Sequence, residues 1–203
     1  VIKEDFKLDF DIKNIKLITV TNKIFNEISD VKTPQGILAI IKKNQKQKLD
    51  LNSEYILALD SLQDPGNMGT IIRTADSANI KQIIINKTTV DPYSSKVIRS
   101  TMGAIYRINI IEVEDLEKTL KELRSKTYKI ITTDLKSNKS IYDIDYKKTV
   151  VVIGNEANGV SEEIQKIANE KVIIPMLGKT ESLNASIAAS IMIYEYVRQK
   201  IKK

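Results

Sequence analysis

The chain contains neither cysteine nor histidine among its 203 residues. The absence of cysteine excludes disulfides, thiolate metal sites and a cysteine nucleophile. The absence of histidine excludes a histidine general base, a Ser-His-Asp triad and a histidine-bound metal. Any catalysis must therefore depend on carboxylates, lysine, arginine, hydroxyls, amides or a cofactor.

Long hydrophobic runs are also missing. The longest, such as residues 83–85 and 150–153, are far too short to span a membrane, and no secretory signal is visible. We therefore expect a cytoplasmic protein without a membrane partner. The net charge of +6 permits a polyanionic partner, although a lysine-rich surface alone would give the same value.

A lysine-rich stretch at residues 41–48 divides the chain into two regions. It has almost no apolar content, which predicts a linker over residues 42–52. Residues 1–41 are too few to fold well alone. Because the chain begins with Val1 rather than Met, we interpret them as the end of an N-terminal domain whose start is missing. Residues 53–203 form the predicted main domain.

From residue 53 onward, short apolar runs alternate with amphipathic segments. The predicted strands cover residues 55–59, 82–86, 108–112, 128–133, 150–154 and 172–174. The predicted helices cover residues 68–78, 93–101, 116–125, 161–168 and 184–200. This alternation predicts a mostly parallel α/β sheet with helices on both faces. Before the linker, the pattern predicts strands at 16–21 and 37–41 and a helix at 23–28.

Three loops rich in glycine and asparagine follow predicted strands, at residues 60–67, 154–159 and 175–184. Since the carboxyl ends of parallel strands meet at one edge of a sheet, these loops predict a site built largely from backbone. The second loop is not a phosphate-binding P-loop, because Val160 and Ser161 follow its second glycine where Lys and Ser or Thr are required.

The first loop leads into a predicted helix that carries the candidate residue Arg73. Asn67 is a predicted N-cap of that helix, and Gly69, Arg73 and Asp76 share one helical face. Gly69 would let a ligand or a second chain approach the guanidinium of Arg73. The alternative interpretation is a surface arginine paired with Asp76.

The second and third loops each carry polar candidates. Glu156, just past a strand end, either caps the following turn or has a functional role. Ser182 as a nucleophile would need a base, and Lys179 is the local candidate. Asn184 is a predicted N-cap for the last helix, whose small residues at 185–190 allow close approach of a loop, a helix or a subunit.

Together the three loops resemble the signature motifs of the SpoU (TrmH) branch of the SPOUT superfamily of RNA methyltransferases. The first motif reads DPGNMG at residues 64–69 and RTA at 73–75, the second reads IGNEANGV at 153–160, and the third reads IIPMLG at 173–178 and ESLNAS at 181–186. The resemblance covers residues 55–200 in the order and spacing of the family, which makes it highly specific.

The resemblance implies an α/β fold whose carboxyl-terminal part forms a deep trefoil knot, with S-adenosylmethionine as the methyl donor and no metal. The residues that match cofactor-binding positions, or line that pocket, are Gly154, Ile174, Leu183, Thr132, Thr133, Asp134 and Met176. The residues that match catalytic positions are Arg73, Asn67, Glu156, Ser182 and Asn184. The implied reaction is attack of a ribose 2′-hydroxyl on the methyl group.

In the family, the arginine at the position of Arg73 is proposed to activate the hydroxyl. Because a guanidinium rarely loses its proton, we expect Arg73 instead to hold the phosphate beside the ribose and stabilise the developing alkoxide. Glu156 would orient Arg73, while Ser182 and Asn184 would orient the ribose or the loop. The proton acceptor stays open among this arginine, a carboxylate, a phosphate and water.

The resemblance also implies a homodimer and an RNA partner. Residues 33–39 resemble the last strand of the small RNA-binding domain that many relatives carry, which favours 23S rRNA over tRNA as the substrate. The alternatives are a tRNA ribose 2′-O-methyltransferase and a non-catalytic RNA-binding protein with the same fold. A nucleotide-dependent oxidoreductase or NTPase is disfavoured, because the glycine fingerprint and the Walker lysine are missing.

Overall fold

The computed structural model of the chain describes residues 1–43 and 48–201. It contains two compact units, Val1–Gln45 and Lys46–Lys203. Of the predicted linker at 42–52, residues 44–47 lie outside the described residues. The assignment of the two units to separate domains stays a prediction.

Over residues 1–43, the first unit contains two strands of two residues each and one helix. Strand β1 (Ile2–Lys3) pairs in parallel with β2 (Thr19–Val20), and helix α1 (Asn22–Ile28) begins after Thr21, whose hydroxyl accepts a hydrogen bond from the N–H of Ile24. The predicted helix is confirmed, and the predicted strand at 16–21 is shorter than expected.

The predicted strand at residues 37–41 is wrong. The structure has only an isolated antiparallel bridge between Ile2 and Ile37 and a hydrogen bond from Leu38 N–H to the carbonyl of Val1. Its neighbour β1 is two residues long, so it offers no backbone groups for a longer ladder.

The second unit is built on a sheet of six strands, and every strand pair in it is parallel. The strand order is β5-β4-β3-β7-β6-β8. The strands are β3 (Tyr55–Leu59), β4 (Gln82–Asn86), β5 (Asn109–Val113), β6 (Lys129–Thr133), β7 (Thr149–Ile153) and β8 (Glu170–Val172). All six overlap predicted strands, so the prediction of a mostly parallel α/β sheet is confirmed.

Helices cover both faces of this sheet. They are α2 (Pro65–Ser77), α3 (Ser95–Ser100), α4 (Leu116–Ser125), α5 (Glu162–Ile167) and α6 (Ala185–Ile201). Because side chains alternate along a strand, Leu57 and Val151 pack in one core with α2, α3 and α6, whereas Ile56 and Val150 pack in a second core with α4 and α5. Within the described residues, no helix has the length and apolar character that a membrane crossing needs.

Helix α2 begins earlier than its sequence predicts. Its N-cap is Asp64, whose carboxylate accepts a hydrogen bond from the backbone N–H of Asn67 at 2.7 Å. The prediction of Asn67 as the N-cap is therefore wrong. Pro65 explains the difference, because its fixed φ and missing N–H suit the first position of a helix.

Helices α2 and α3 cross closely at Gly69. A Cβ atom built on Gly69 would overlap the hydroxyl oxygen of Ser100 and would lie 2.6 Å from its Cβ. The expectation that Gly69 leaves room for a ligand or a second chain is therefore wrong, since Ser100 of the same chain fills that space.

We predict that Gly69→Ala lowers the free energy of unfolding by up to about 2 kcal/mol. Overpacking costs roughly 1–3 kcal/mol, and the better helix propensity of alanine offsets about 1 kcal/mol of it. Urea unfolding measures the change, with Gly178→Ala as the control because no atom lies within 4 Å of its Cβ position. Adding Ser100→Gly should partly restore stability, and an unchanged midpoint in Gly69→Ala would contradict the tight crossing.

Candidate active site

A cavity of about 500 Å³ opens at the carboxyl edge of the sheet, among the segments that follow β6, β7 and β8. It is lined by residues 133–136, 153–160 and 172–174 together with Glu162, Gln165, Met176, Ser182, Leu183, Ala185 and Ala188. Two of the three loops singled out in the sequence therefore form its walls. The remaining loop, residues 60–67, reaches the cavity through its contacts with Glu156.

The backbone itself forms one wall at Gly154. A Cβ atom there would overlap the backbone of Gly159 and Val160, so only glycine fits. The chain turns back on itself between Asn155 and Gly159, whose N–H groups each donate to the other's carbonyl at 2.9 Å. Gly159 has a φ of +69°, which glycine adopts without strain.

Glu156 connects the second loop to the first. Its carboxylate accepts hydrogen bonds from the backbone N–H groups of Gln63 at 3.0 Å and Asp64 at 2.9 Å, and from the side-chain amide of Asn67 at 3.0 Å. The carboxylate thus binds the segment that follows β3.

The third loop joins the same chain of hydrogen bonds through Asn184. The side-chain amide of Asn184 donates to Oδ1 of Asn67 at 2.9 Å. Its own Oδ1 accepts from the backbone N–H groups of Ser186 and Ile187 at the start of α6, which confirms it as the predicted N-cap. One residue from each predicted motif therefore takes part in a single series of hydrogen bonds, which runs from Glu156 through Asn67 to Asn184.

These contacts change the acidity of Glu156. Partial burial acts to raise its pKa, but the hydrogen bonds from the Asn67 side chain and from the backbone of Asp64 and Gln63 outweigh that effect. The pKa of Glu156 therefore lies below its ordinary value of 4.5. The charged carboxylate is the form that the site stabilises at neutral pH.

Arg73 lies exposed on α2, and the structure does not bring it to either predicted partner. Glu156 binds the first loop, and Asp76 accepts from Arg107 at 2.7 Å. Among the described residues, the Arg73 side chain has no hydrogen bond or ion pair, so the alternative of an Arg73–Asp76 pair is wrong. The guanidinium is available to an anion from outside the chain.

Ser182 is exposed beside the cavity. Within the described part of the chain, it makes no hydrogen bond to Lys179, so the geometry gives a Ser–Lys dyad no support. Residues 174–183 as a whole make no hydrogen bond among the described residues. Of this segment, Ile174 packs against the core on one face of the sheet, whereas Leu177 is fully exposed.

Six of the seven predicted cofactor residues line the cavity: Thr133, Asp134, Gly154, Ile174, Met176 and Leu183. Thr132 does not, because it is fully buried and its hydroxyl donates to Gln165 Oε1 at 2.8 Å. The amide of Gln165 in turn donates to the carbonyl of Thr133 at 3.0 Å. No periodicity or motif in the sequence distinguishes Gln165, which is one polar residue of a short amphipathic helix.

Sequence reasoning also missed Asp60. This carboxylate is only 4% exposed and accepts from the N–H of Ser161 at 2.8 Å, at the start of α5, and from the amide of Asn86 at 3.1 Å. It therefore fixes the far end of the second loop. The sequence did contain one signal for a structural role of Asp60, namely an acidic residue directly after a predicted buried strand.

We predict that Glu156→Gln lowers stability by about 1 kcal/mol at neutral pH, because an amide accepts these hydrogen bonds less strongly than a carboxylate. With its lowered pKa, Glu156 stabilises the fold above about pH 4.5, and this contribution is lost as pH falls through the lowered pKa. Urea unfolding at several pH values should show the difference between the two proteins shrinking in acid.

The matched control for this prediction is Glu162→Gln. Glu162 also lines the cavity, but among residues 1–43 and 48–201 its side chain makes only an exposed pair with Lys166 at 3.8 Å. We expect the free energy of unfolding of Glu162→Gln to equal that of the unmodified chain at every pH. A Glu156→Gln variant with the same pH profile as the unmodified chain would contradict the assigned hydrogen bonds.

Comparison with known proteins agrees with this arrangement. The family model described as the SpoU rRNA Methylase family matches residues 54–194. This range contains the whole parallel sheet and all three loops, and it covers more than half of the chain.

Individual relatives match this chain over most of its length. The chain is 27% identical over 196 residues to a 23S rRNA (guanosine(2553)-2′-O)-methyltransferase of Bacillus subtilis, covering 96% of the chain and 78% of the relative. It is 35% identical to a TrmH-family tRNA/rRNA methyltransferase of Staphylococcus aureus, over 82% of the chain and 71% of the relative.

A solved structure agrees in three dimensions. The AdoMet-bound rRNA methyltransferase of Sinorhizobium meliloti superposes with a TM-score of 0.83 at 33% identity, over 89% of this chain and 71% of that one. The family predicted from the three motifs is confirmed: the chain belongs to the SpoU rRNA Methylase family.

Proposed function

We propose that this methyltransferase transfers a methyl group from S-adenosylmethionine to a ribose 2′-hydroxyl of 23S rRNA in the cytoplasm. The observation that carries the proposal is the series Glu156–Asn67–Asn184, which joins all three motifs beside one cavity. The 2′-O specificity and the 23S target follow the Bacillus subtilis relative. The methyl donor follows the AdoMet-bound Sinorhizobium meliloti structure.

The cavity suits S-adenosylmethionine in both shape and charge. Its apolar walls, including Ile174 and Leu183, offer surface for an adenine ring, and its backbone wall at Gly154 lets a ligand approach closely. Its charged lining residues are three carboxylates and one ammonium, Asp134, Glu156, Glu162 and Lys136. This excess of negative charge favours a cationic sulfonium. Across residues 1–43 and 48–201, no cluster of acidic side chains is placed to hold a metal ion.

When bound, S-adenosylmethionine supplies a methyl group that is already electrophilic. The protein's task is therefore to place the ribose oxygen, and alignment alone contributes up to about 7–11 kcal/mol to catalysis. Asn67 and Asn184, fixed in orientation by Glu156, form the rigid side of the site. The exposed hydroxyl of Ser182 orients the ribose from the other side.

Arg73 acts as a cation in this proposal. Its exposed, unpaired guanidinium binds the phosphate beside the target ribose and stabilises the alkoxide as it forms. Glu156 is a poor base, because its lowered pKa and its hydrogen-bond donors stabilise the charged form. In this proposal the proton leaves to water or to a substrate phosphate.

Three further parts of the proposal concern assembly. The carboxyl-terminal part forms the trefoil knot of the family, which is supported by the meeting of the segments after β6, β7 and β8 at one cavity. The chain acts as a homodimer, supported by Ile187 and Tyr194, half-exposed apolar residues of α6. The first unit is the end of an RNA-binding domain, supported by its own compactness.

The direct test of the function is methyl transfer by the full chain. We expect labelled methyl from S-adenosylmethionine to enter 23S rRNA, and nuclease digestion with mass spectrometry to find one 2′-O-methylated nucleoside. Bulk tRNA is the comparison substrate, and preferential labelling of tRNA would replace 23S rRNA in the proposal. A base-methylated product, or no transfer to any RNA, would overturn it.

We predict that Arg73→Ala lowers kcat by about 10²–10³-fold, the usual effect of removing one donor that stabilises developing charge. Binding of S-adenosylmethionine, measured by calorimetry, should stay unchanged, because Arg73 does not line the cavity. The control is Lys118→Ala on α4, an exposed lysine on the other face of the sheet. Full activity of Arg73→Ala would exclude the assigned role.

A further inference from the structure

The crossing of α2 and α3 carries an excess of positive charge. Helix α2 contains one carboxylate, Asp76, and α3 contains none. The cations on these two helices are Arg73, Lys96 and Arg99, and Arg107 follows the short 3₁₀ turn after α3. These segments therefore carry four cationic side chains and one carboxylate.

That carboxylate is already engaged. Arg107 donates to Asp76 Oδ2 through Nε at 2.9 Å and through Nη2 at 2.7 Å. Arg107 and Asp76 thus neutralise each other. Arg73, Lys96 and Arg99 are all exposed, and within the described part of the chain none of their side chains has a hydrogen bond or an ion pair.

From the close crossing at Gly69 and the periodicity of the two helices, we infer that these three cations share one surface. Ser100 packs against Gly69, so Arg99 lies directly beside the contact. Arg73 lies one turn beyond Gly69 on the same face of α2, and side chains on a helix lean toward its N-terminus, which directs Arg73 back toward α3. Lys96 and Arg99 are three residues apart and therefore share a face of α3.

These three cations, which have no partner among the described residues, repel one another. Binding a row of anions beside them would remove that repulsion. Resting on the proposed function, we propose that Lys96 and Arg99 bind phosphates of the substrate RNA next to the phosphate held by Arg73. The surface formed by Arg73, Lys96 and Arg99 positions the strand without reading its bases, since phosphate contacts carry no sequence information. Arg107 takes no part, because Asp76 already pairs with it.

The test measures binding of a short fluorescein-labelled single-stranded RNA to the full chain across salt concentrations. Each lost phosphate contact should lower the slope of log K against log salt by about 0.7. We expect this decrease, and weaker binding at low salt, for Arg99→Gln and for Lys96→Gln. The matched control is Lys118→Gln on α4, an exposed lysine on the other face of the sheet, which loses the same charge.

Kinetics separate a binding role from a structural one. Arg99→Gln should raise KM for RNA while kcat at saturating RNA and the affinity for S-adenosylmethionine stay unchanged, and Arg99→Lys should restore most of the slope. If both glutamine variants keep the slope of the Lys118→Gln control, the surface is not an RNA contact, whatever the enzyme methylates. If the slopes fall but no RNA is methylated, the surface stands and the proposed function fails.

Discussion

The carboxylate of Glu156 accepts three hydrogen bonds from residues that lie 89 to 93 positions earlier in the chain, and the geometry of the whole site depends on that contact. A carboxylate at neutral pH can only accept, so Asn67 must turn its NH₂ group toward it. The carbonyl oxygen of Asn67 then faces Asn184, whose own oxygen meets the first N–H groups of α6. A single negative charge thus determines the orientation of both amides and the start of the last helix.

The site consequently has a fixed side and an adaptable side. Asp60 and Glu156 hold the two ends of the second loop against the end of β3, and within that loop the backbone of Gly159 and Val160 packs directly against Gly154. Across the cavity, residues 174–183 make no hydrogen bonds among the described residues and contribute apolar side chains. A ligand would therefore meet polar groups already in position on one wall and a wall able to adjust on the other.

The sequence was informative where local chemistry decides the structure. Alternating apolar runs predicted all six strands of the main sheet, and the motifs predicted most of the cavity lining. The failures came from contacts between distant segments. Nothing local shows that Asp76 pairs with Arg107 rather than Arg73, that Ser100 fills the space above Gly69, or that Thr132 is turned away from the cavity. Pro65 could have predicted the start of α2, but Asn67 offered a competing N-cap two residues later.

The order of the strands has a consequence for how the protein acquires its site. Strands β3, β4 and β5 are consecutive in the chain and adjacent in the sheet, so this half can assemble through short-range pairing. Within the sheet, the half that contains β6, β7 and β8 pairs with it where β3 lies beside β7, residues 55 and 149 being partners. Such non-local pairing is the slow part of folding. Asn67 belongs to the first half and Glu156 to the second, so the complete site exists only after the halves have joined. A ligand that needs the complete site therefore stabilises the finished fold and none of its precursors.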